Sequence, residues 1–128
     1  MEQYLIDTNC VSDYLSESLP FNGMQFMDSV IDQGPKISII TEIELLCWNT
    51  SDDKKVNGVK NFINDSTIFE ITADVVRHCV SARKGKKIKT PDAIIAATAL
   101  SLNYTLLTHN EKDFINIPKL KIVNPSKL

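Results

Sequence analysis

Hydrophobic positions change period several times along the chain, and each change marks an element. Gln3-Tyr4-Leu5-Ile6 reads as a short strand that stops at Asp7. A helix is expected from about Asn9 to Ser16, with Thr8 and Asn9 both competent to cap it. Phe21 to Gln33 carries Met24, Met27, Val30 and Ile31 at helical spacing, and Gly34-Pro35 ends that helix because proline cannot continue it. Lys36-Ile37-Ser38-Ile39-Ile40 is rich in β-branched residues and strand-like. Thr41 then stands where it would cap a helix bearing Ile43, Glu44, Leu45 and Leu46. A further helix is expected from about Asp52 to Asn64, with Val56, Val59, Phe62 and Ile63 inward.

The second half repeats the alternation. Thr67 to Ile71 reads as a strand, and Thr72 caps a helix expected to turn Val75, Val76, Cys79 and Val80 inward. Thr90-Pro91-Asp92 opens the next helix, with Thr90 as cap and Pro91 preorganised for the first turn. Ala93 to Leu100 is apolar all round, so that helix is largely buried. Thr105 to Leu107 and Leu120 to Val123 supply the last strands. Strands alternating with helices predict an α/β fold: a central parallel sheet of four to five strands with helices on both faces. The 128 residues suit one domain, 1–128, without internal repeat or low-complexity linker.

Composition narrows the setting. Apolar residues make up 43% and charged residues 23%, as in ordinary soluble proteins. No apolar run approaches the roughly 18 to 20 residues that a membrane span needs, and Met1 to Asp7 lacks the basic start of a secretory signal. Cys10, Cys47 and Cys79 are an odd count without metal-ligand spacing, so a reduced, cytoplasmic location is expected. The net charge of −2 conceals a local excess, since five of the 14 basic residues (Arg83, Lys84, Lys86, Lys87 and Lys89) fall in one seven-residue run. Such a run is either a phosphate-binding patch or a solvated helix end.

Four carboxylates occupy or follow strand ends, where open α/β folds bind ligands. Asp7 terminates the first strand, Glu44 lies one turn into the helix after Ile40, Asp92 opens the buried helix, and Asp113 follows the strand ending at Leu107. Singly, each has a structural use as a cap, a helix-dipole partner or a solvated turn residue. Together they conflict, because two carboxylates about 5 Å apart repel by roughly 3 kcal/mol at an effective dielectric near 20. A cation would hold such a group together, and an all-oxygen set suits Mg²⁺, with Mn²⁺ able to substitute. His78 and His109 are far apart and show no ligand pattern.

These residues also carry a resemblance. Leu5-Ile6-Asp7-Thr8-Asn9, Ser38 through Thr41 to Glu44-Leu45, Asp92-Ala93-Ile94-Ile95-Ala96-Ala97-Thr98-Ala99 and Leu106-Leu107-Thr108-His109-Asn110 through Asp113-Phe114 stand in the order and spacing of the PIN-domain blocks. The chain resembles that family, and within it the VapC-type toxins of bacterial toxin–antitoxin pairs. Cys47-Trp48-Asn49 departs from the pattern, where relatives often carry Gly. The resemblance implies Mg²⁺-dependent hydrolysis of RNA phosphodiester bonds. Asp7 and Asp92 would be the principal metal ligands, with Glu44 binding directly or through water. Either Asn110 or Asp113 would complete the set, and charge favours Asp113. Thr8, Asn9, Thr108 and Asn110 would orient the ligands from behind. The basic run, leading directly into Asp92, would then grip RNA.

A cognate antitoxin and a homodimer are further implications of the resemblance. Phe21, Met24, Phe26, Met27, Val30 and Ile31 form a wider apolar surface than one core contact requires; core packing is the expected use for most of it, and the surplus Met and Phe suit a partner helix. An Arg or Lys from that partner could enter the acidic pocket in place of the metal's charge. Other readings fit less well. A response-regulator receiver needs an Asp ending the third strand, absent from Thr67 to Ile71. A haloacid-dehalogenase-type phosphatase needs a second Asp where Asn9 stands. A non-catalytic RNA- or protein-binding module remains as the alternative.

Overall fold

The computed structural model describes residues 2–128. Among them, five strands, β1 (Tyr4–Ile6), β2 (Lys36–Ser38), β3 (Thr67–Phe69), β4 (Thr105–Leu107) and β5 (Ile122–Val123), alternate with seven α-helices. Their pairings are parallel. Hydrogen bonding divides the strands into a three-stranded sheet, β1-β4-β5, and a two-stranded sheet, β2-β3. β1 also lies beside β2. The central sheet is therefore smaller than the four to five strands expected, because among the described residues no ladder of bonds joins β1 to β2.

Alternation along the two central strands explains why both faces are covered. Successive side chains of a strand point to opposite sides. Ile6 and Leu107 enter one core with Cys10, Val11, Met27, Ile37, Val59 and Phe62. Leu5 and Leu106 enter the other with Ala82, Ile95, Ala96, Ala99 and Phe114. The first core is roofed by α1 (Thr8–Leu15), α2 (Phe21–Asp32), α3 (Ile39–Leu46) and α4 (Asp53–Asp65). The second is roofed by α5 (Ala73–Arg83), α6 (Thr90–Leu102) and α7 (Glu111–Phe114). No helix among the described residues is long and apolar enough to cross a membrane.

Several boundaries differ from the expectations. Asp7, not Thr8 or Asn9, caps α1, accepting from the Thr8 backbone N–H at 2.8 Å. β2 stops at Ser38, whose hydroxyl caps α3 through the Ile40 N–H, so Thr41 lies inside the helix and fully buried. Thr90 likewise lies inside α6, with Lys89 at the cap position and no side-chain cap bond. β3 ends at Phe69 rather than Ile71, and β5 begins at Ile122 rather than Leu120. Val76 and Val80 are about half exposed, because α5 meets α6 along Val75 and Ala82 instead. The chain closes with a 3₁₀ turn, Pro125–Lys127, packed on α2. Gly23 permits that approach: a Cβ there would sit 2.2 Å from the Pro125 carbonyl oxygen.

Candidate functional site

The parallel register of β1 and β4 creates the centre of the site. Ile6 is paired with Leu107, so the next residues, Asp7 and Thr108, emerge side by side at the carboxyl ends of the strands. The ladder continues past both, with Asp7 N–H donating to Leu107 at 2.9 Å and Thr108 N–H to Val123 at 3.1 Å. Asp7 is 3% exposed. Its Oδ2 accepts from the Thr108 hydroxyl at 2.8 Å and from the Asn9 amide at 2.9 Å, while Oδ1 takes the Thr8 N–H. Burial nevertheless raises the carboxyl to about 6; the bonds from Thr108 and Thr8 oppose the rise, and the charges of Asp92 and Glu44 add to it.

Glu44 reaches the centre from α3, on the helix face that also carries Thr41, three residues earlier. The Thr8 hydroxyl donates to Glu44 Oε1 at 2.6 Å and lies 3.1 Å from the Thr41 hydroxyl. Asp92 sits half-buried in the first turn of α6. Burial raises its carboxyl, the charges of Asp113 and Glu44 raise it further, and Lys89 opposes them. Asp113 is exposed on α7, a helix anchored by the fully buried Phe114 beside it. The four carboxylates thus lie within electrostatic reach of one another. They do not form a closed cage, since no group of three or more His, Cys, Asp or Glu among the described residues stands in metal-holding geometry.

Donor chemistry fits a hard cation better than any other occupant. The inward-facing groups are carboxylate oxygens, hydroxyls and an amide, and the carboxylates are short of compensating charge. Thr8, Asn9 and Thr108 each bond a carboxylate directly. Asn110 contributes through its backbone, whose N–H donates to the Thr108 hydroxyl at 3.0 Å, and its exposed side chain makes no cap bond.

The basic run borders this acidic centre. Lys86, Lys87, Lys89 and Lys112 line one cleft together with Asp92 and Asp113, with a volume of about 360 Å³. Arg83 is not among the cleft residues; its Nε donates to the Ile88 carbonyl at 3.0 Å and braces the loop. Lys84 is exposed and is not among the cleft residues.

Three contributors are not apparent from the sequence reading. Lys112 is isolated in sequence from the basic run and joins it only through the fold. Thr41 reads as a cap and instead meets Thr8 inside the site. Asp13 stands one helical turn after Asn9, and the two side chains hold the same residue: Asn9 Oδ1 accepts the His109 N–H at 3.1 Å, and Asp13 bonds the His109 ring. The i, i+4 spacing of Asn9 and Asp13 is the signal that could have found it. His78 is a surface residue of α5 near Asp74.

Known proteins share this architecture. A chain of the VapBC complex from Salmonella typhimurium, solved with DNA bound, matches with a TM-score of 0.80 at 23% identity, covering 98% of this chain and 99% of that one. A chain of VapBC2 from Rickettsia felis, solved with a fragment of its promoter DNA, matches with 0.79 at 24% identity over 94% and 97%. A toxin–antitoxin complex from Klebsiella pneumoniae matches with 0.73 at 28% identity over 96% and 98%. Among curated proteins none matches by sequence. The PIN domain family model matches residues 4–120, from the first strand past the helix of Asp113. By fold and by that match, the chain belongs to the PIN-domain family.

Proposed function

We propose that the chain is a metal-dependent endoribonuclease and the toxin of a bacterial toxin–antitoxin pair. The observation that carries the nuclease reading is Asp7: a buried carboxylate at the end of β1, gripped by Thr8, Asn9 and Thr108, and repelled by Asp92 and Glu44. A module that only binds RNA or protein would gain nothing from keeping an uncompensated charge there. PIN domains are generally nucleases, and the solved relatives belong to toxin–antitoxin complexes.

Asp7, Asp92 and Glu44, with Asp113 at the rim, would hold Mg²⁺ or Mn²⁺. When bound, the ion supplies charge neutralisation at the scissile phosphate and a water of lowered pKa. Thr108 and Asn9 fix the Asp7 carboxylate, and Thr8 fixes Glu44, so these oxygens need little reorganisation. Lysines beside Asp92 offset the repulsion between an acidic centre and an anionic substrate.

Of the six apolar residues of α2 expected to receive a partner helix, the core takes five in whole or in part, and Phe21 is what this reading leaves for the partner. Met27 and Val30 are buried in the core, Met24, Phe26 and Ile31 are partly buried, and Phe21 is 74% exposed. An antitoxin helix would cover Phe21 and send a cation among the carboxylates. Excess Mn²⁺ should then weaken the complex or restore cleavage. A cytoplasmic homodimer completes the proposal. The test is to incubate labelled RNA and a matched DNA strand with the chain in Mg²⁺ or in chelator. RNA cut only with metal is expected; cleavage that survives chelation, or no cleavage of any RNA, overturns the reading.

A further inference from the structure

Four ammonium groups against two carboxylates leave the cleft between α6 and α7 with an excess of positive charge, although it opens beside the acidic centre. We propose that this cleft is a discrete subsite for the phosphate neighbouring the scissile one, with Lys112 as its central cation; the proposal rests on the nuclease reading for its substrate. Its walls come from the loop before α6, the first turn of α6, and α7. The loop is braced at two points. Arg83 Nε holds the Ile88 carbonyl at 3.0 Å, and Lys86 Nζ reaches the Asn116 carbonyl at 3.2 Å, tying the loop to the chain that follows α7.

Lys112 is set apart by its position. It lines this cleft and also a neighbouring one, with His109, Asn110, Glu111, Asp113 and Lys127, where Glu111 is paired with Lys127. A single strand running from one cleft to the other therefore passes Lys112 and Asp113 together. Lys89 lies close enough to Asp92 to oppose the rise of its carboxyl, which places the cationic wall next to the acidic one. Lysines act as orientable point charges, so they suit a backbone phosphate and carry no base preference. The volume, about 360 Å³, is at the lower end of small-ligand pockets.

The experiment is performed without metal, so that binding is read apart from cleavage. A fluorescent 2′-O-methyl hexanucleotide is titrated in chelator at low salt, unmodified and with one neutral methylphosphonate at each linkage in turn. For the wild type, one linkage is expected to matter most, its neutralisation weakening binding roughly fivefold. Lys112→Gln should weaken the unmodified strand by a similar factor, become insensitive to that linkage, and lower the salt slope by about 0.7. The pair Lys86→Gln and Lys87→Gln should act in the same direction, whereas Lys54→Gln, exposed on α4, should change nothing. The proposal is overturned by wild-type binding in Lys112→Gln, by equal weight at every linkage, by an equal effect of Lys54→Gln, or by no binding in chelator. Binding as expected without RNA cleavage in Mg²⁺ would remove the nuclease reading and leave the phosphate subsite standing.

Discussion

Asp7→Asn keeps the shape of the side chain and removes its charge. In the metal-free protein the Asp7 carboxyl rises from 3.8 to about 6. The folded chain therefore binds this proton more tightly than the unfolded chain does. The group's contribution to stability is greatest below the unfolded value near 3.8 and is lost as pH rises through about 6. Across that window the loss amounts to roughly 3 kcal/mol. The substitution abolishes the loss but introduces a conflict. The oxygen of the new amide would still accept the Thr8 N–H, whereas its nitrogen would face the Asn9 amide, donor against donor. That conflict costs about 1–2 kcal/mol at every pH.

The two stability curves should therefore cross. Urea unfolding in chelator should find the variant less stable than wild type near pH 4 and more stable by about 1–2 kcal/mol near pH 7. Added Mn²⁺ should reverse the order at neutral pH, since the ion stabilises whichever folded state binds it more tightly. A constant offset between the curves from pH 4 to 7 would refute the reasoning, because Asp7 would then carry no uncompensated charge.

Other perturbations are simpler. Thr108→Val removes a hydrogen bond that favours ionised Asp7, so Mn²⁺ affinity should fall at pH 6 and recover towards pH 8; a titration showing no change at either pH would remove Thr108 from its positioning role. Glu44→Gln should weaken Mn²⁺ binding several-fold while melting is maintained, and unchanged affinity would exclude Glu44 from the site. Gly23→Ala sets a Cβ 2.2 Å from the Pro125 carbonyl oxygen, where backbone must move, and should cost about 1–3 kcal/mol in urea unfolding; a neutral result would mean that the terminal turn does not pack there in solution.

Much of the fold was legible because β1 and β4 are apolar on both faces. Leu5 and Ile6 both needed cover, as did Leu106 and Leu107, and strands buried on both sides imply parallel pairing with helices above and below. Local signals failed where several residues compete for one role. Asp7, Thr8 and Asn9 can all cap a helix. The choice of Asp7 depends on where β1 stops pairing with β4, which is a tertiary fact. Ser38 prevailed over Thr41 in the same way, and the displaced threonine turned inward to meet Thr8. Apolar spacing on α5 could not reveal that only one helix would cover it, which leaves Val76 and Val80 half exposed against the periodic pattern. With four residues, α7 is too short for any periodicity, and that hid the alignment of Lys112 with the distant basic run. Of the four candidate carboxylates, Asp7 adjoins a strand end and Asp92 and Asp113 lie in the first turns of their helices, positions that local signals mark, whereas Glu44 stands further along α3.

Single-turnover cleavage of one labelled RNA by wild type and by Asp92→Asn, each in Mg²⁺ and in chelator, tests the central claim most directly. Asp92 is the half-buried carboxylate that shares its field with Glu44 and Asp113, and its substitution leaves the hydrogen bonds around Asp7 in place. Wild type should cut only with metal, and Asp92→Asn should lose at least about 100-fold in rate, as expected when a group acting on the developing charge is removed. Folding of the variant is checked by its unchanged urea midpoint in chelator, or a higher one. A folded Asp92→Asn chain that cuts RNA at the wild-type rate would contradict the assignment of this carboxylate cluster as the nuclease centre.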